Sequence, residues 1–133
     1  MIKISHYKII AIGKIKKKWI QEGIEMYLKR LPGLEVKEIK DSTQSKEEHS
    51  IKEIISKNEI LITLNENGQS FTSKQLATKL LNSHNQNITF VIGGASGLPI
   101  SLNNKAAWQL SLSPLTFPHE IARLLLIEQL YRA

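Results

Sequence analysis

The sequence contains no cysteine, and this absence removes several kinds of chemistry at once. Disulfide bonds, thiolate metal sites and cysteine nucleophiles are all excluded, and the composition fits the reducing cytoplasm in which we expect this chain. No apolar run approaches the ~18 residues that a membrane-spanning helix requires. The start of the chain, at residues 1–4, also lacks the apolar stretch of a signal peptide. We therefore expect no membrane partner and no secretion.

Histidine is scarce as well, and its positions show no paired spacing such as HExxH, so we expect no metal site. Common nucleotide-binding signatures are missing too. Residues 93–97 (GGASG) do not form GxGxxG, and no GxxxxGK[ST] motif occurs. Ser96 does not lie in a GxSxG elbow, so a hydrolase triad cannot be assembled around it. The histidines are His6, His49, His84 and His119.

The charge balance indicates what kind of partner the chain has. Eighteen Lys and Arg against twelve Asp and Glu give a formal net charge of +6 over 133 residues. This favours an anionic partner, of which nucleic acid is the commonest, although a solvated basic surface gives the same balance. The basic run Lys14–Lys18 is typical of a solvated helix start and is also suited to contact RNA phosphates.

Strand-like and helix-like patterns alternate along the chain, which predicts an α/β fold with a mostly parallel sheet and helices on both faces. The run at 88–92 is apolar throughout and suits a central strand. The turn-forming residues Asn65–Gly68 are expected to close the third strand, and Leu81 is assigned to the buried face of the third helix. Strands are predicted at 7–13, 34–39, 59–64, 88–92 and 108–112. Helices are predicted at 17–31, 46–57, from a cap at Thr72 or Ser73 to Leu81, at 101–107, and from Pro118 to the C-terminus.

The last predicted helix is apolar around nearly its whole circumference, and such a helix cannot face water. We expect it to lie between the sheet and a second copy of the chain, which predicts a homodimer. Burial inside a single core is the alternative. The apolar residues are Ile121, Ala122, Leu124, Leu125, Leu126, Ile127 and Leu130.

Three residues, Leu64, Gly93 and Leu112, lie at or just after the carboxyl ends of predicted strands. Ligands of open parallel sheets bind beyond these ends, so the loops that follow are expected to converge on one edge of the sheet. Glycine lets the backbone approach a ligand closely, although a tight strand-to-helix turn explains Gly93 and Gly94 equally well. The three loops are 65–69, 93–99 and 113–118.

Two residues of the last helix are candidates for substrate chemistry. His119 lies at the helix start beside the third loop, where it caps the helix or hydrogen-bonds a ligand. Arg123 is expected either to reach the cleft or a phosphate, or to pair with a nearby carboxylate.

Four stretches together resemble one protein family. They are IAIGKIK at 10–16, EMYLKRLP at 25–32, VIGGASGL at 91–98 and SLSPLTFPHEIARLLLIEQLYRA at 111–133. In matching order over the whole chain they are similar to the SPOUT-class 23S rRNA (pseudouridine) N3-methyltransferases, the ribosomal RNA large subunit methyltransferase H family.

The resemblance implies a single homodimeric domain over residues 1–133 with a deep C-terminal trefoil knot, a fold that the alternating pattern alone does not predict. It also implies that S-adenosylmethionine binds in a bent form and that its methyl group is transferred to N3 of a pseudouridine in 23S rRNA of the assembled ribosome. Either a nearby base or an RNA phosphate must then help to remove the imide proton. The implied cofactor contacts are Leu64, Gly93, Leu112, Ser113, Pro114, Leu115, Thr116 and Phe117.

Members of this family usually continue past Tyr131–Ala133 with a short tail that bears an aromatic residue and histidine. Since this chain stops at Ala133, a second hypothesis is a dimeric cofactor- and RNA-binding protein with impaired catalysis. His119 and Arg123 are then the remaining candidates for substrate contact. A third hypothesis is a generic nucleotide-binding α/β module with a flavodoxin-like strand order.

Overall fold

The computed structural model describes residues 2–83, 86–94 and 97–133. His84 and Asn85 of the predicted polar connection, and Ala95 and Ser96 of the glycine loop, lie outside the described residues. The strands are β1 Tyr7–Ile12, β2 Glu35–Ile39, β3 Ile60–Ser70, β4 Ile88–Ile92 and β5 Trp108–Ser111. The helices are α1 Lys18–Lys29, α2 Gln44–Ile54, α3 Ser73–Leu81, α4 Ile100–Lys105 and α5 His119–Arg132. A single 3-10 turn, Ile4–His6, precedes β1.

The five strands form one sheet in the order β2-β1-β4-β3-β5, and every neighbouring pair is parallel. The predicted α/β class and parallel sheet are therefore confirmed. The central strand is β4, and all five of its residues are buried, as its continuous apolar run predicts. A flavodoxin-like sheet has the order 2-1-3-4-5, so the hypothesis of that strand order is wrong: β3 and β4 have exchanged places.

Two separate clusters of apolar side chains show that helices cover both faces of the sheet. Because side chains alternate along a strand, Ile9 of β1 joins one cluster and Ile10 joins the other. The first cluster contains side chains of α1, α3 and α5, and the second contains Ile51 of α2 and Leu102 of α4. The predicted arrangement of helices on both faces is confirmed.

The third strand does not end at Asn65–Gly68, so that prediction is wrong. Leu64 pairs with Leu110, and Gln69 pairs with the same Leu110 after a register shift. The turn residues between them form an irregular segment inside the strand. Two hydrogen bonds hold this segment: Asn65 Nδ2 donates to the side-chain oxygen of Gln109 over 2.7 Å, and the Asn67 N–H donates to Asn65 Oδ1 over 3.0 Å. Pairing with β5 then resumes. We name residues 65–68 the β3 bulge.

Helix boundaries follow the capping residues. Thr43 accepts a hydrogen bond from the Lys46 N–H, so α2 begins before the predicted residue 46. Thr72 forms a capping box with Gln75 and starts α3, as predicted.

Leu81 of α3 is 43% exposed, so the prediction that its side chain is buried is wrong. Leu80 occupies the buried position, and successive side chains of a helix point about 100° apart.

The last helix, α5, is covered by its own chain to a large extent. Leu126, Ile127 and Leu130 are buried, and Leu124 packs against α1 near Gly23. Burial within one core, the alternative that the sequence left open, therefore accounts for much of this apolar helix. Support for a homodimer comes instead from apolar side chains that stay exposed on the surface next to α5.

Candidate functional site

A cavity of about 820 Å³ lies beyond the carboxyl ends of β4 and β5 and beside the β3 bulge. Residues of all three predicted loops line it, so their convergence is confirmed, although residues 65–69 lie within β3 and not after it. Leu64 and the β3 bulge form one wall, Gly93 and Leu98 a second, and the segment after β5 a third. The cavity has the size of a small-molecule site, for which about 300–1,000 Å³ is usual.

The strand order explains why the cavity lies here. The helix after β3 belongs to one face of the sheet, while the helix after β4 belongs to the other. These two strands are neighbours, so their connections leave in opposite directions and a crevice opens between them. This is the topological switch point at which ligands of open α/β sheets bind.

Most of the predicted site residues line the cavity, but two do not. Pro114 and Arg123 are absent from the lining. The predicted residues that do line it are Leu64, Gly93, Leu112, Ser113, Leu115, Thr116, Phe117 and His119.

Sequence reasoning missed several lining residues. Ala122 of α5 follows His119 by three positions and therefore shares its side of the helix, so the helical period was a usable signal. Asn103 comes from α4, which crosses the other face of the sheet, and no sequence signal marks it. Glu66 belongs to the β3 bulge, within the predicted loop, but was not singled out.

The glycine loop after β4 is closely packed against itself. A Cβ atom on Gly93 would lie 2.7 Å from the carbonyl carbon of Gly97 and 3.0 Å from the Leu98 nitrogen. The Gly97 N–H donates to the Gly94 carbonyl oxygen over 3.0 Å, and Gly97 has a positive φ of 74°. The tight-turn interpretation of these glycines is therefore correct, and the same turn forms a wall of the cavity.

The loop after β5 is held by its own side chains. The Ser111 hydroxyl donates to the Ser113 carbonyl oxygen over 2.9 Å, and the Leu115 N–H donates to the Ser113 hydroxyl oxygen over 3.0 Å. Further along, the Thr116 hydroxyl donates to a carboxylate oxygen of Glu66. This last hydrogen bond joins the loop to the β3 bulge beside the cavity.

Arg123 forms an ion pair, which is the alternative that the sequence left open for it. Its Nη1 lies 2.6 Å from Glu38 Oε2, and its Nη2 donates to the Gly13 carbonyl oxygen over 2.9 Å. The arginine side chain is 3% exposed, so this contact ties α5 to the ends of β1 and β2. His119 lies on the same side of the helix start, with its Nε2 3.6 Å from the point where a Cβ of Gly13 would stand.

The basic run after β1 is anchored to the start of α5. Glu120 Oε1 accepts hydrogen bonds from the backbone N–H groups of Lys16 and Lys17, over 2.7 and 3.1 Å. The Lys17 bond, together with that of Lys16, holds the pKa of Glu120 below its ordinary value. The N-cap position of α5 is Pro118 and no side chain caps it, so the capping role considered for His119 is not observed.

Within the described ranges, no group of three or more His, Cys, Asp or Glu side chains has the arrangement of a metal site. In the same part of the chain, no helix is both long enough and apolar enough to cross a membrane.

Comparison with known proteins identifies the family. A family model described as a predicted SPOUT methyltransferase matches residues 5–133. The ribosomal RNA large subunit methyltransferase H of Prochlorococcus marinus strain NATL2A is 92% identical over 133 residues, which are all of this chain and 92% of that protein. The protein of the same name from Prochlorococcus marinus strain MIT 9211 is 55% identical over the same shares of both chains.

Solved structures of low sequence identity to this chain have a similar fold. The SpoU methyltransferase AviRb from Streptomyces viridochromogenes, in complex with the cofactor AdoMet, superposes with a TM-score of 0.53 and 10% identity. The superposition covers 99% of this chain but only 59% of the AviRb chain.

By its family model and its fold, the chain is a SPOUT-class methyltransferase. More particularly, it belongs to the ribosomal RNA large subunit methyltransferase H family, and its activity is methylation of rRNA. The family resemblance read from the sequence is thereby confirmed.

Proposed function

We propose that this protein transfers the methyl group of S-adenosylmethionine to N3 of a pseudouridine in 23S rRNA of the assembled ribosome. The observation that carries the proposal is the cavity at the topological switch point, because it gathers Leu64, Gly93 and the loop after β5 in one place. These are the positions to which the family resemblance assigns cofactor contacts. A relative of the fold, AviRb, has been crystallised with AdoMet.

The residues present fit this cofactor. Its adenine requires an apolar slot, and Leu64, Leu112 and Phe117 supply apolar surface around the cavity. The glycine loop brings backbone N–H and C=O groups close to the ligand space, and these groups are able to hydrogen-bond an adenine edge or a carboxylate. When bound, S-adenosylmethionine supplies an activated methyl group on its sulfonium.

The chain itself contributes positioning more than bond-making chemistry. A loop that is already fixed by Ser111 and Ser113 holds a ligand in one orientation without further ordering. His119 is the candidate for contact with the substrate base, since it lines the cavity beside the loop. Arg123 acts, on this proposal, by fixing the start of α5 that carries His119.

The RNA partner is supported by charge and by position. The chain carries a net charge of +6, and four exposed lysines of the basic run lie next to the helix that borders the cavity. Phosphate contacts from such a run would position the ribosomal RNA without reading its sequence. We place the single domain, residues 1–133, in the cytoplasm with its ribosomal substrate.

The homodimer is supported by the surface where α1 meets α5. Trp19 and Met26 are seven residues apart on α1, hence on one side of it, and they are 60% and 44% exposed. Tyr131 of α5 is 40% exposed and packs against Tyr27 of α1 with the rings tilted by 53° and their centroids 5.5 Å apart. Exposed aromatic and methionine side chains of this kind are enriched at interfaces between subunits.

Light scattering after size-exclusion chromatography tests the dimer. We expect the wild-type protein to elute as a dimer and the double variant Trp19→Ser, Met26→Lys to elute as a monomer. Ile100→Lys is the matched control, because Ile100 is 78% exposed on α4, on the opposite face of the sheet. A monomeric wild type would contradict the proposal.

A trefoil knot in the C-terminal part is also proposed, on the family membership. The exchange of β3 and β4 relative to a flavodoxin-like order is compatible with such a threading. An experimental structure traced through residues 84–85 and 95–96 tests it, and an unthreaded chain there would refute it.

The decisive experiment for the activity is methyl transfer to whole ribosomes from a strain that lacks the modification. Incorporation of labelled methyl groups at N3 of a pseudouridine in 23S rRNA is the expected result. Cofactor binding without transfer would instead support the second hypothesis, a cofactor- and RNA-binding protein with impaired catalysis.

Calorimetry with S-adenosylhomocysteine, FMN and NAD tests the cofactor separately. We expect heat of binding for the first of these ligands only. A preference for either FMN or NAD would defeat the cofactor assignment.

A further inference from the structure

One acidic side chain borders the cavity and takes no part in the proposed methyl transfer. Among the described residues that line the cavity, Glu66 is the only carboxylate, and His119 is the only other side chain of an ionisable type. Glu66 lies in the β3 bulge, and one of its carboxylate oxygens accepts a hydrogen bond from the Thr116 hydroxyl. The carboxylate is therefore held beside the ligand space by a partner from the neighbouring loop after β5.

The two expected ligands of the cavity differ in charge, so a carboxylate at this position can distinguish them. If the proposed function holds, the substrate cofactor carries a sulfonium cation, whereas its product, S-adenosylhomocysteine, has a neutral thioether at the same place. The rest of the two molecules is the same. A group that binds the charged cofactor more tightly than the neutral product helps the enzyme to release product and bind new cofactor.

The remainder of the protein does not favour a cation. Its net charge is +6, and the lysines of the basic run stand beside α5, close to the cavity. This basic surface suits RNA but repels a positively charged cofactor. A carboxylate in the cavity wall offsets that repulsion locally, because the attraction between opposite charges grows as the distance between them falls.

We propose that Glu66 is a specificity-determining residue that makes the cavity prefer the sulfonium form of the cofactor over the neutral thioether product. The inference rests on the proposed function, because it assumes which ligand pair occupies the cavity. In this arrangement the hydrogen bond from Thr116 orients the carboxylate, and the negative charge of Glu66 discriminates between the two ligands.

Isothermal titration calorimetry of Glu66→Gln tests the inference, with S-adenosylmethionine, S-adenosylhomocysteine and sinefungin as probes. Sinefungin carries a protonated amine in place of the sulfonium. The glutamine amide still accepts the Thr116 hydrogen bond, so only the charge is lost. Because Glu66 is exposed and screened by water, we expect about fivefold weaker binding of the two cationic ligands. Binding of S-adenosylhomocysteine should change by less than about twofold.

Two control variants separate charge from structure. Thr116→Val removes the hydroxyl but keeps the carboxylate, so it should weaken the charged and neutral ligands to a similar extent. Glu35→Gln removes one negative charge at the amino end of β2, at the edge of the sheet opposite the cavity, and should leave the affinities for all three ligands unchanged.

Each outcome decides between the possibilities. Equal weakening of charged and neutral ligands by Glu66→Gln would overturn the inference and leave Glu66 as a tie between two loops. Should that variant fail to fold, Glu66→Ala provides the same comparison of ligands without the charge. If the wild-type protein binds neither S-adenosylmethionine nor its product, the proposed function itself fails and this inference with it.

Discussion

Arg123 and Glu38 form an ion pair in which the two partners differ greatly in exposure. The Nη1–Oε2 distance is 2.6 Å, the arginine side chain is 3% exposed and the glutamate side chain is 43% exposed. A buried cation that loses its partner cannot regain water, whereas an exposed carboxylate can. The cost of breaking this pair therefore depends on which partner is removed.

The first prediction follows from that asymmetry. Glu38→Ala should lower the free energy of unfolding by about 3 kcal/mol, since it leaves the guanidinium buried without its counter-charge. Arg123→Met removes both the ion pair and the hydrogen bond to the Gly13 carbonyl, but it should cost less, about 1–2 kcal/mol, because the released Glu38 is hydrated and no buried charge is left unpaired. Urea denaturation followed by circular dichroism measures both values.

A matched control comes from the same strand. Glu35→Ala breaks an exposed pair with Lys37, whose Nζ lies 3.2 Å away, and should change the free energy of unfolding by less than about 1 kcal/mol. If Arg123→Met proved more costly than Glu38→Ala, the asymmetric description of this pair would be wrong.

The second prediction concerns the glycine loop. Gly93→Ala places a Cβ 2.7 Å from the Gly97 carbonyl carbon, so the loop backbone must move and the wall of the cavity moves with it. We expect binding of S-adenosylhomocysteine to weaken by at least about tenfold in calorimetry, while the protein remains folded.

Gly97→Ala is the comparison for this variant. A Cβ there would meet nothing within 4 Å, so only the positive φ of 74° opposes it. The cost is backbone strain of about 1–2 kcal/mol in stability, with a smaller effect on the ligand. Unchanged binding by Gly93→Ala would mean that the cofactor does not depend on this turn.

The third prediction concerns Glu120 and acid pH. Its pKa is lowered chiefly by the hydrogen bond from the Lys17 N–H, so the folded protein holds a carboxylate that the unfolded chain protonates more readily. The associated stability is present above the ordinary glutamate pKa and is lost as the pH falls through the lowered value. Urea midpoints from neutral to acid pH should therefore fall less steeply for Glu120→Gln than for the wild type. Parallel curves would contradict this contribution.

The fourth prediction concerns Tyr7 and alkaline pH. Burial raises the pKa of Tyr7 to about 12, and the residue is 3% exposed beside Phe90. Since the folded value lies above the ordinary one, the stability is complete below pH 10 and is lost as the pH rises toward 12. Relative to Tyr7→Phe, the wild type should lose about 2 kcal/mol across this range. Thermal or urea unfolding of both proteins measures the difference, and an equal loss in the two would refute the assignment.

Sequence patterns predicted the elements of this fold well where local chemistry decides them. Capping at Thr72 and the continuous apolar run of β4 have local causes, and both appear as expected. Asn65–Gly68 has equally strong turn chemistry, yet β3 continues beyond it. The reason is non-local: Gln109, forty-four residues away from Asn65, holds the bulge against β5.

The site shows the same division. Predicted strand ends marked Leu64, Gly93 and Leu112 as neighbours in space, because parallel strands present their carboxyl ends at one edge. The three residues do line one cavity, although β3 continues past Leu64. Arg123 had two possible partners in the sequence, a phosphate or a carboxylate. Only the position of β2 beside β1 brings Glu38 within reach of it, and this contact joins residues 85 positions apart.

By itself, then, the sequence determined the fold class, the family and the loops that form the cavity, since these depend on local periodicity and on motifs. The tertiary structure decided the strand order, the continuation of β3 and the partner of Arg123. It also placed Glu66 in the cavity wall within hydrogen-bonding reach of Thr116. These features depend on which segments, far apart in the sequence, come into contact in the fold. The free energy of such contacts depends on the packing of the whole sheet.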